Sequence, residues 1–112
     1  MSTDDSWLLD MLTYARLARE RIADVTREEF LADVDKHLAV THLVMIIGEA
    51  AAQVSNERRA ALPAVPWGQI VGTRNRIVHH YFKVDFEILW NIVENDLPTL
   101  IAQLEPEVPP EV

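Results

Sequence analysis

The sequence contains no cysteine, only three glycines, few aromatic residues (7%) and fewer basic than acidic residues, 10 against 18. The missing cysteine excludes a disulfide framework, a thiolate zinc site and a catalytic thiol. The formal net charge of −8 disfavours a broad basic surface of the kind that coats duplex nucleic acid. A small cationic site is still allowed, because salt screens distant carboxylates over about 8–10 Å.

Long hydrophobic runs are missing as well. The longest apolar stretch, Leu43 to Ala52, is interrupted by Gly48 and Glu49 and is shorter than the ~20 residues that a bilayer span needs. The polar, acidic start of the chain is unlike a secretory signal. We therefore expect no membrane association and no export, and a protein that suits the reducing cytoplasm. The length of 112 residues fits one domain around a single core.

Apolar residues recur at helical intervals along most of the chain, which predicts an all-α fold. Pro98 is expected to kink the last helix or divide it in two. Residues 106–112, rich in proline and glutamate, suggest a flexible tail beyond a core of residues 5–105. Four of the expected helices cover about residues 4–25, 33–55, 57–62 and 85–103. Two more are expected between them: a short one that Thr26 caps, and one that begins at Pro66 and Trp67.

The expected helix over residues 33–55 is apolar on more than one face. A helix of this kind needs more than one packing partner, so it is either central in the domain or part of a subunit interface. One stripe is formed by Val34, Leu38, Thr41, Met45 and Ala52, and the other by Val40, Val44, Ile47, Ala51 and Val54.

Most of the chemically capable side chains lie in one segment, Arg74 to Phe82. Histidine titrates near ~6.5 and can both accept and donate a proton at neutral pH, so His79 and His80 are acid–base candidates. A metal-free ribonuclease needs a base for the ribose 2′-hydroxyl, an acid for the leaving 5′-oxygen and a cation for the charge on phosphorus. The guanidinium of Arg74 or Arg76 can supply the cation.

On a single helix, the candidate catalytic side chains do not all lie on one face. Asn75 and His79 share one face of a helix, but Arg74 and His79 are about 140° apart. They converge only if the arginine reaches around, if the helix ends before His79, or if an interface completes the site. A purely structural interpretation is also open, in which the basic residues complement the helix dipole and Tyr81 and Phe82 are core aromatics.

Other candidate sites are weaker. His37 and His42 are five positions apart and do not share a helix face, so no two-histidine metal site is expected. Trp67 and Trp90 have apolar neighbours at helical spacing, which favours core positions over base stacking. We expect no metal and no cofactor.

The string from Arg74 to Tyr81 resembles the R-N-x-x-x-H-x-Y signature of the HEPN superfamily, specifically of its HepT type. The similarity spans roughly residues 5–105 and leaves His80 in a variable slot without a family role. It also includes the run Ile46 to Ala51, the pair Pro66 and Trp67, and the segment Val84 to Trp90.

The resemblance implies an antiparallel bundle of four to five helices that forms a symmetric homodimer with the motifs facing a shared cleft. It implies a metal-independent endoribonuclease toxin of a type VII-like toxin–antitoxin module, with RNA as substrate. Arg74 and His79 would be the catalytic pair and Asn75 a polar organiser of the site. A partner minimal nucleotidyltransferase would silence the toxin by adding AMP to Tyr81.

Two further expectations concern neighbouring residues. Arg76 is expected to support the site, and Glu49 to pair with an arginine such as Arg74, because an isolated buried carboxylate is costly. An exposed Glu49 at a helix margin is the alternative. Gly48 would allow close backbone approach in the dimer interface. A non-catalytic nucleotide- or partner-binding module and a purely structural helical dimer remain alternative functions.

Overall fold

A computed structural model describes residues 2–109, which form helices and the turns between them. The predicted all-α fold is confirmed. Two 3₁₀ turns (Tyr81–Lys83 and Glu105–Glu107) and one π turn (Ile92–Asp96) accompany the α-helices. The α-helices are α1 (Thr3–Arg21), α2 (Arg27–Leu31), α3 (Val34–Gln53), α4 (Asn56–Ala61), α5 (Trp67–His79), α6 (Phe86–Asn91) and α7 (Leu97–Leu104).

Polar side chains define where the helices begin. Thr26 and Glu29 form the predicted capping box of α2, since each side chain accepts a hydrogen bond from the backbone N–H of the other. Ser2 and Asp5 form a second capping box at α1. Asp85 caps α6, where its Oδ1 accepts from the backbone N–H of Glu87 at 2.9 Å. These bonds satisfy the N–H groups that have no partner within a first helical turn.

The core lies where α1 packs against both α3 and α7. Burial of its aliphatic side chains is the main favourable term in folding. Trp67 and Trp90, each 9% exposed, are confirmed as core residues. The centre of this core contains Leu8, Met11 and Ala15 from α1, Val40, Val44 and Ala51 from α3, and Leu97, Leu100 and Leu104 from α7.

The two apolar stripes of α3 differ in burial. Val40, Val44, Ile47, Ala51 and Val54 are all buried. In the other stripe Thr41 is buried, whereas the first turns expose Val34 and Leu38 by 65% and 55%. The helix is therefore central in the domain, as one of the two expectations had it, and its N-terminal end keeps an apolar face at the surface.

Pro98 interrupts the last helix, as predicted, and it does so through the π turn. In this turn the N–H of Leu97 donates to the carbonyl of Ile92. The carbonyl of Val93 would accept from residue 98, but proline has no N–H. The guanidinium of Arg19 donates to this carbonyl at 3.1 Å and also pairs with Glu94 at 3.2 Å. α1 thus stabilises the irregular turn.

The expectation of a flexible tail over residues 106–112 is wrong for the first residues of that segment. Residues 105–107 form a 3₁₀ turn and Val108 is only 8% exposed. The carbonyl of Glu107 accepts a hydrogen bond from Arg58 at 3.2 Å. This bond and the burial of Val108 outweigh the disordering tendency of the composition, and residues 110–112 lie outside the described residues. No helix within residues 2–109 is long and apolar enough to cross a membrane.

Candidate functional site

The predicted chemical cluster lies at the end of α5 and in the 3₁₀ turn that follows it. α5 ends at His79, and the backbone N–H of His80 closes its last turn by donating to the carbonyl of Arg76 at 2.8 Å. Arg74 and His79 are therefore both helical, and the idea that the helix ends before His79 is wrong. The segment from Tyr81 to Lys83 then leads to the Asp85 cap of α6.

α5 packs against α3 at a point of close backbone approach. The approach occurs at Gly48 of α3, where a built Cβ would overlap the Cβ of Arg74 and lie 3.0 Å from its Cγ. The same Cβ would lie 3.2 Å from the carbonyl oxygen of Ile70. Gly48 therefore serves packing within one chain. This corrects the expectation that places it in a dimer interface, because the space beside it is filled by α5.

The guanidinium of Arg74 is held from two sides. Its Nη1 donates to Oδ1 of Asn75 at 2.6 Å. Its Nη2 donates to Oε2 of Glu49 at 3.4 Å, and its Nε lies 3.0 Å from Oε1 of the same carboxylate. The Nε–H does not point at that oxygen, so this contact is an ion pair without a hydrogen bond. The predicted pairing of Arg74 with Glu49 is thus present.

The burial of this ion pair is uneven. The side chain of Arg74 is 24% exposed and that of Glu49 is 48% exposed. Glu49 is therefore both exposed, as the alternative expectation stated, and paired. A half-exposed carboxylate contributes little to stability, but two contacts from a second helix restrict the rotamers of a long arginine side chain. The pair orients Arg74 more than it stabilises the fold.

The other polar residues of the cluster point to solvent. Arg76, His79 and His80 are exposed. Within residues 2–109 their side chains form no hydrogen bond and no ion pair. One chain therefore brings together Arg74, Asn75 and Glu49, and it links none of them to His79. Arg74 faces α3, whereas His79 lies about 140° further around the same helix.

The aromatic residues after α5 are exposed, so their interpretation as core residues is wrong. Tyr81 is 52% exposed and Phe82 is 97% exposed, with their rings edge-to-face at 5.8 Å between centroids. The 3₁₀ turn moves both rings away from the bundle. The sequence pattern placed Phe82 at the end of the chemical segment and offered it no role other than that of a core aromatic. The one available signal was its position next to a polar segment, away from the apolar stripes.

The two histidines of α3 do not share a face, as predicted. His37 is buried and stacks on Phe86 with 3.9 Å between ring centroids, whereas His42 is exposed. Among the described residues no group of three or more His, Asp or Glu side chains is placed to hold a metal ion.

Comparison with known proteins identifies the family. The family model described as "Ribonuclease HepT-like" matches residues 11–107. The chain is 36% identical over 100 residues to the protein named "Putative RNase MJ1380" from Methanocaldococcus jannaschii, covering 89% of this chain and 92% of that protein. It is 32% identical over 99 residues to "Probable ribonuclease HepT" from Thermococcus cleftensis, covering 88% and 90%.

No solved structure gives a significant match to the chain. The family model nevertheless extends from the middle of α1 to the 3₁₀ turn after α7 and includes the whole chemical cluster. The relatives are matched over nearly their full length. By its sequence and its all-α bundle, the chain belongs to the HepT-like ribonuclease family of the HEPN type.

Proposed function

We propose that this protein is a metal-independent endoribonuclease that acts as the toxin of a type VII-like toxin–antitoxin module. Membership of a ribonuclease family supports the reaction class. The observation that carries the assignment is the fixed guanidinium of Arg74 in the same segment as the exposed imidazole of His79, which has no side-chain partner within residues 2–109. These two groups supply the charge stabilisation and the proton transfer that RNA cleavage needs.

The proposed reaction is an internal transfer of the phosphodiester. His79 removes the proton of the ribose 2′-hydroxyl, whose oxygen attacks phosphorus while the bond to the 5′-oxygen breaks. The leaving oxygen takes up a proton from an imidazolium, so the products are a 2′,3′-cyclic phosphate and a free 5′-hydroxyl. Arg74 stabilises the negative charge that develops on the non-bridging oxygens. Asn75 and Glu49 hold the guanidinium in place.

The site is proposed to be completed in a symmetric homodimer. Within one chain Arg74 and His79 point in different directions, so a two-fold arrangement of two α5 helices is needed to join Arg74 to His79 of the partner subunit. Val78, which follows Ile77 on α5, is 49% exposed and provides apolar surface for such a contact. The dimer also doubles the positive charge in one cleft, which a chain of net charge −8 needs in order to attract RNA.

The function is tested with the purified protein in the absence of any partner. We expect it to cleave labelled single-stranded RNA in the presence of EDTA and to leave a cyclic phosphate at the 3′ end of the upstream fragment. Sedimentation should show a dimer. Activity that disappears in EDTA and returns with a divalent cation would contradict the metal-independent mechanism.

The partner is proposed to be a minimal nucleotidyltransferase that transfers AMP to Tyr81. The Tyr81 side chain is half exposed beside the catalytic cluster, so a transferase can reach its hydroxyl. The added phosphoryl charge and nucleotide bulk would keep RNA out of the cleft by repulsion and by steric overlap.

Replacing Tyr81 with phenylalanine should therefore prevent silencing and leave RNA cleavage intact, since only a hydroxyl is lost. After coexpression with the transferase, intact mass should show added AMP on the wild type and none on Tyr81→Phe. Tyr14→Phe in α1 is the matched control and should still be modified. Equal modification of wild type and Tyr81→Phe would assign the AMP to another residue.

A non-catalytic binding module is the second candidate, and the acidic net charge favours it. In that case the cleft would hold a nucleotide or the partner without cutting RNA. Calorimetry would then show nucleotide binding by a protein that has no nuclease activity with EDTA or with added metal.

A further inference from the structure

A cavity of about 370 Å³ opens between the end of α5 and the start of α6. Its volume lies within the range of small-molecule sites. Its floor is aliphatic and its rim is polar, with His80 directly after the proposed catalytic His79. The floor contains Ile77, Ile88 and Leu89, and the rim contains Arg76, His80 and Lys83.

The charge on this rim is unusual for so acidic a chain. Most arginines of the described residues form ion pairs with carboxylates or donate hydrogen bonds to backbone carbonyls. Within residues 2–109 the cations that form neither an ion pair nor a hydrogen bond through their side chains are Arg21, Lys36, Arg76 and Lys83. Two of these four line the same cavity.

The rim also carries one carboxylate, which the two cations outnumber. Asp85 also lines the cavity, but its Oδ1 accepts hydrogen bonds from the backbone N–H groups of Glu87 and Ile88 at 2.9 and 3.3 Å. A carboxylate engaged as a helix cap is less available to pair with Arg76 or Lys83. The cavity therefore combines an apolar floor with two free cations.

We propose that this cavity is a subsite for one nucleotide of the RNA strand, next to the linkage that is cut. The base lies on the aliphatic floor, and the adjoining phosphate is bound by Arg76 and Lys83. This proposal rests on the proposed ribonuclease function, because the same strand must pass His79. A free cationic rim is complementary to a phosphodiester.

The subsite has a consequence for the substrate. A base enters the cavity only when it is unstacked and unpaired, and single-stranded RNA presents such bases whereas a duplex does not. The protein is therefore expected to discriminate against double-stranded RNA through this cavity. Loops and unpaired ends are the preferred segments.

The proposal is tested by binding of a fluorescein-labelled 2′-O-methyl oligonucleotide, which lacks the attacking hydroxyl and is not cut. Lys83→Gln should weaken binding about three- to tenfold and reduce the salt dependence of log K by about 0.7, as for one lost phosphate contact to a single strand. It should also raise KM for RNA. Arg21→Gln is the matched control, since it removes an equally unpaired, exposed charge at the end of α1 and should leave binding unchanged.

A second variant tests the floor. Ile88 is 51% exposed, so Ile88→Glu should fold while it places a carboxylate in the cavity. We expect it to weaken oligonucleotide binding at least as much as Lys83→Gln and to leave the sedimentation coefficient unchanged. If it dissociates the dimer, the cavity is covered by a second copy of the chain and the subsite is overturned.

The outcomes separate the subsite from the function itself. If the wild type cleaves RNA but Lys83→Gln binds the oligonucleotide as well as Arg21→Gln does, the subsite alone is rejected. If the wild type neither binds nor cleaves, the proposed function fails, and the subsite fails with it.

Discussion

Replacing His79 with alanine is expected to reduce the rate of RNA cleavage by about 10²- to 10⁴-fold, the usual contribution of a positioned acid–base group. The imidazole is exposed, and within the described residues its side chain has no partner, so the free energy of unfolding should change by less than about 0.5 kcal/mol. Single-turnover cleavage and urea denaturation would measure the two effects. The rate loss is then chemical and not structural.

His42→Ala is the control for this change, because it removes an exposed histidine that belongs to α3 and not to α5. It should cleave RNA at the wild-type rate. If His79→Ala cleaves RNA as fast as the wild type does, His79 is not the acid–base group of the reaction.

A mixture of His79→Ala and Arg74→Ala tests whether the proposed dimer builds its site from both subunits. If each site takes its arginine from one subunit and its histidine from the other, a mixed dimer contains one intact site and one doubly defective site. With random exchange half of the dimers are mixed, so about a quarter of the wild-type activity should return. No recovery would mean that both groups act within one chain.

Gly48→Ala is expected to lower the free energy of unfolding by about 1–3 kcal/mol, as overpacking of a filled interior does. Replacing glycine with alanine within a helix normally raises the free energy of unfolding by about 1 kcal/mol. The overpacking at Gly48 must therefore outweigh this gain. The added methyl overlaps Arg74 Cβ and lies close to the carbonyl of Ile70. Because these atoms belong to the α5 backbone or adjoin it, the helix itself must shift. RNA cleavage should fall as well, since Arg74 moves from its place.

Gly72→Ala is the matched control for the overpacking. It lies within α5, and a Cβ built there meets nothing within 4 Å. Urea denaturation should show a gain of up to about 1 kcal/mol in the free energy of unfolding. If Gly48→Ala raises the free energy of unfolding as Gly72→Ala is expected to do, the close approach at Gly48 does not control packing.

Much of the fold was predictable because it depends on local signals. Hydrophobic spacing located the helices, and Thr26 marked one helix start through its capping chemistry. The pairing of Glu49 with Arg74 followed from the cost of an unpaired carboxylate near an apolar surface. The interruption at Pro98 followed from its missing N–H, but its form as a π turn depends on a carbonyl that Arg19 can reach from another helix.

The rest of the site depends on tertiary arrangement. Gly48 has no side chain and so carries no signal for which helix it approaches. The exposure of Phe82 arises from the direction of the 3₁₀ turn, which spacing does not reveal. The cavity beside Lys83 is lined by residues of α5, α6 and the turn between them, and neither helix pattern predicts how the two helices are placed relative to each other.

The contacts of Arg58 place the two ends of the described chain side by side. Its guanidinium pairs with Asp5 at 3.0 Å and donates to the carbonyl of Glu107 at 3.2 Å. A short peptide joining the ends would therefore close the backbone into a ring with little strain. Cyclisation would restrict the unfolded chain, and a circular permutant opened in the turn between α1 and α2 would place new termini beside Thr26.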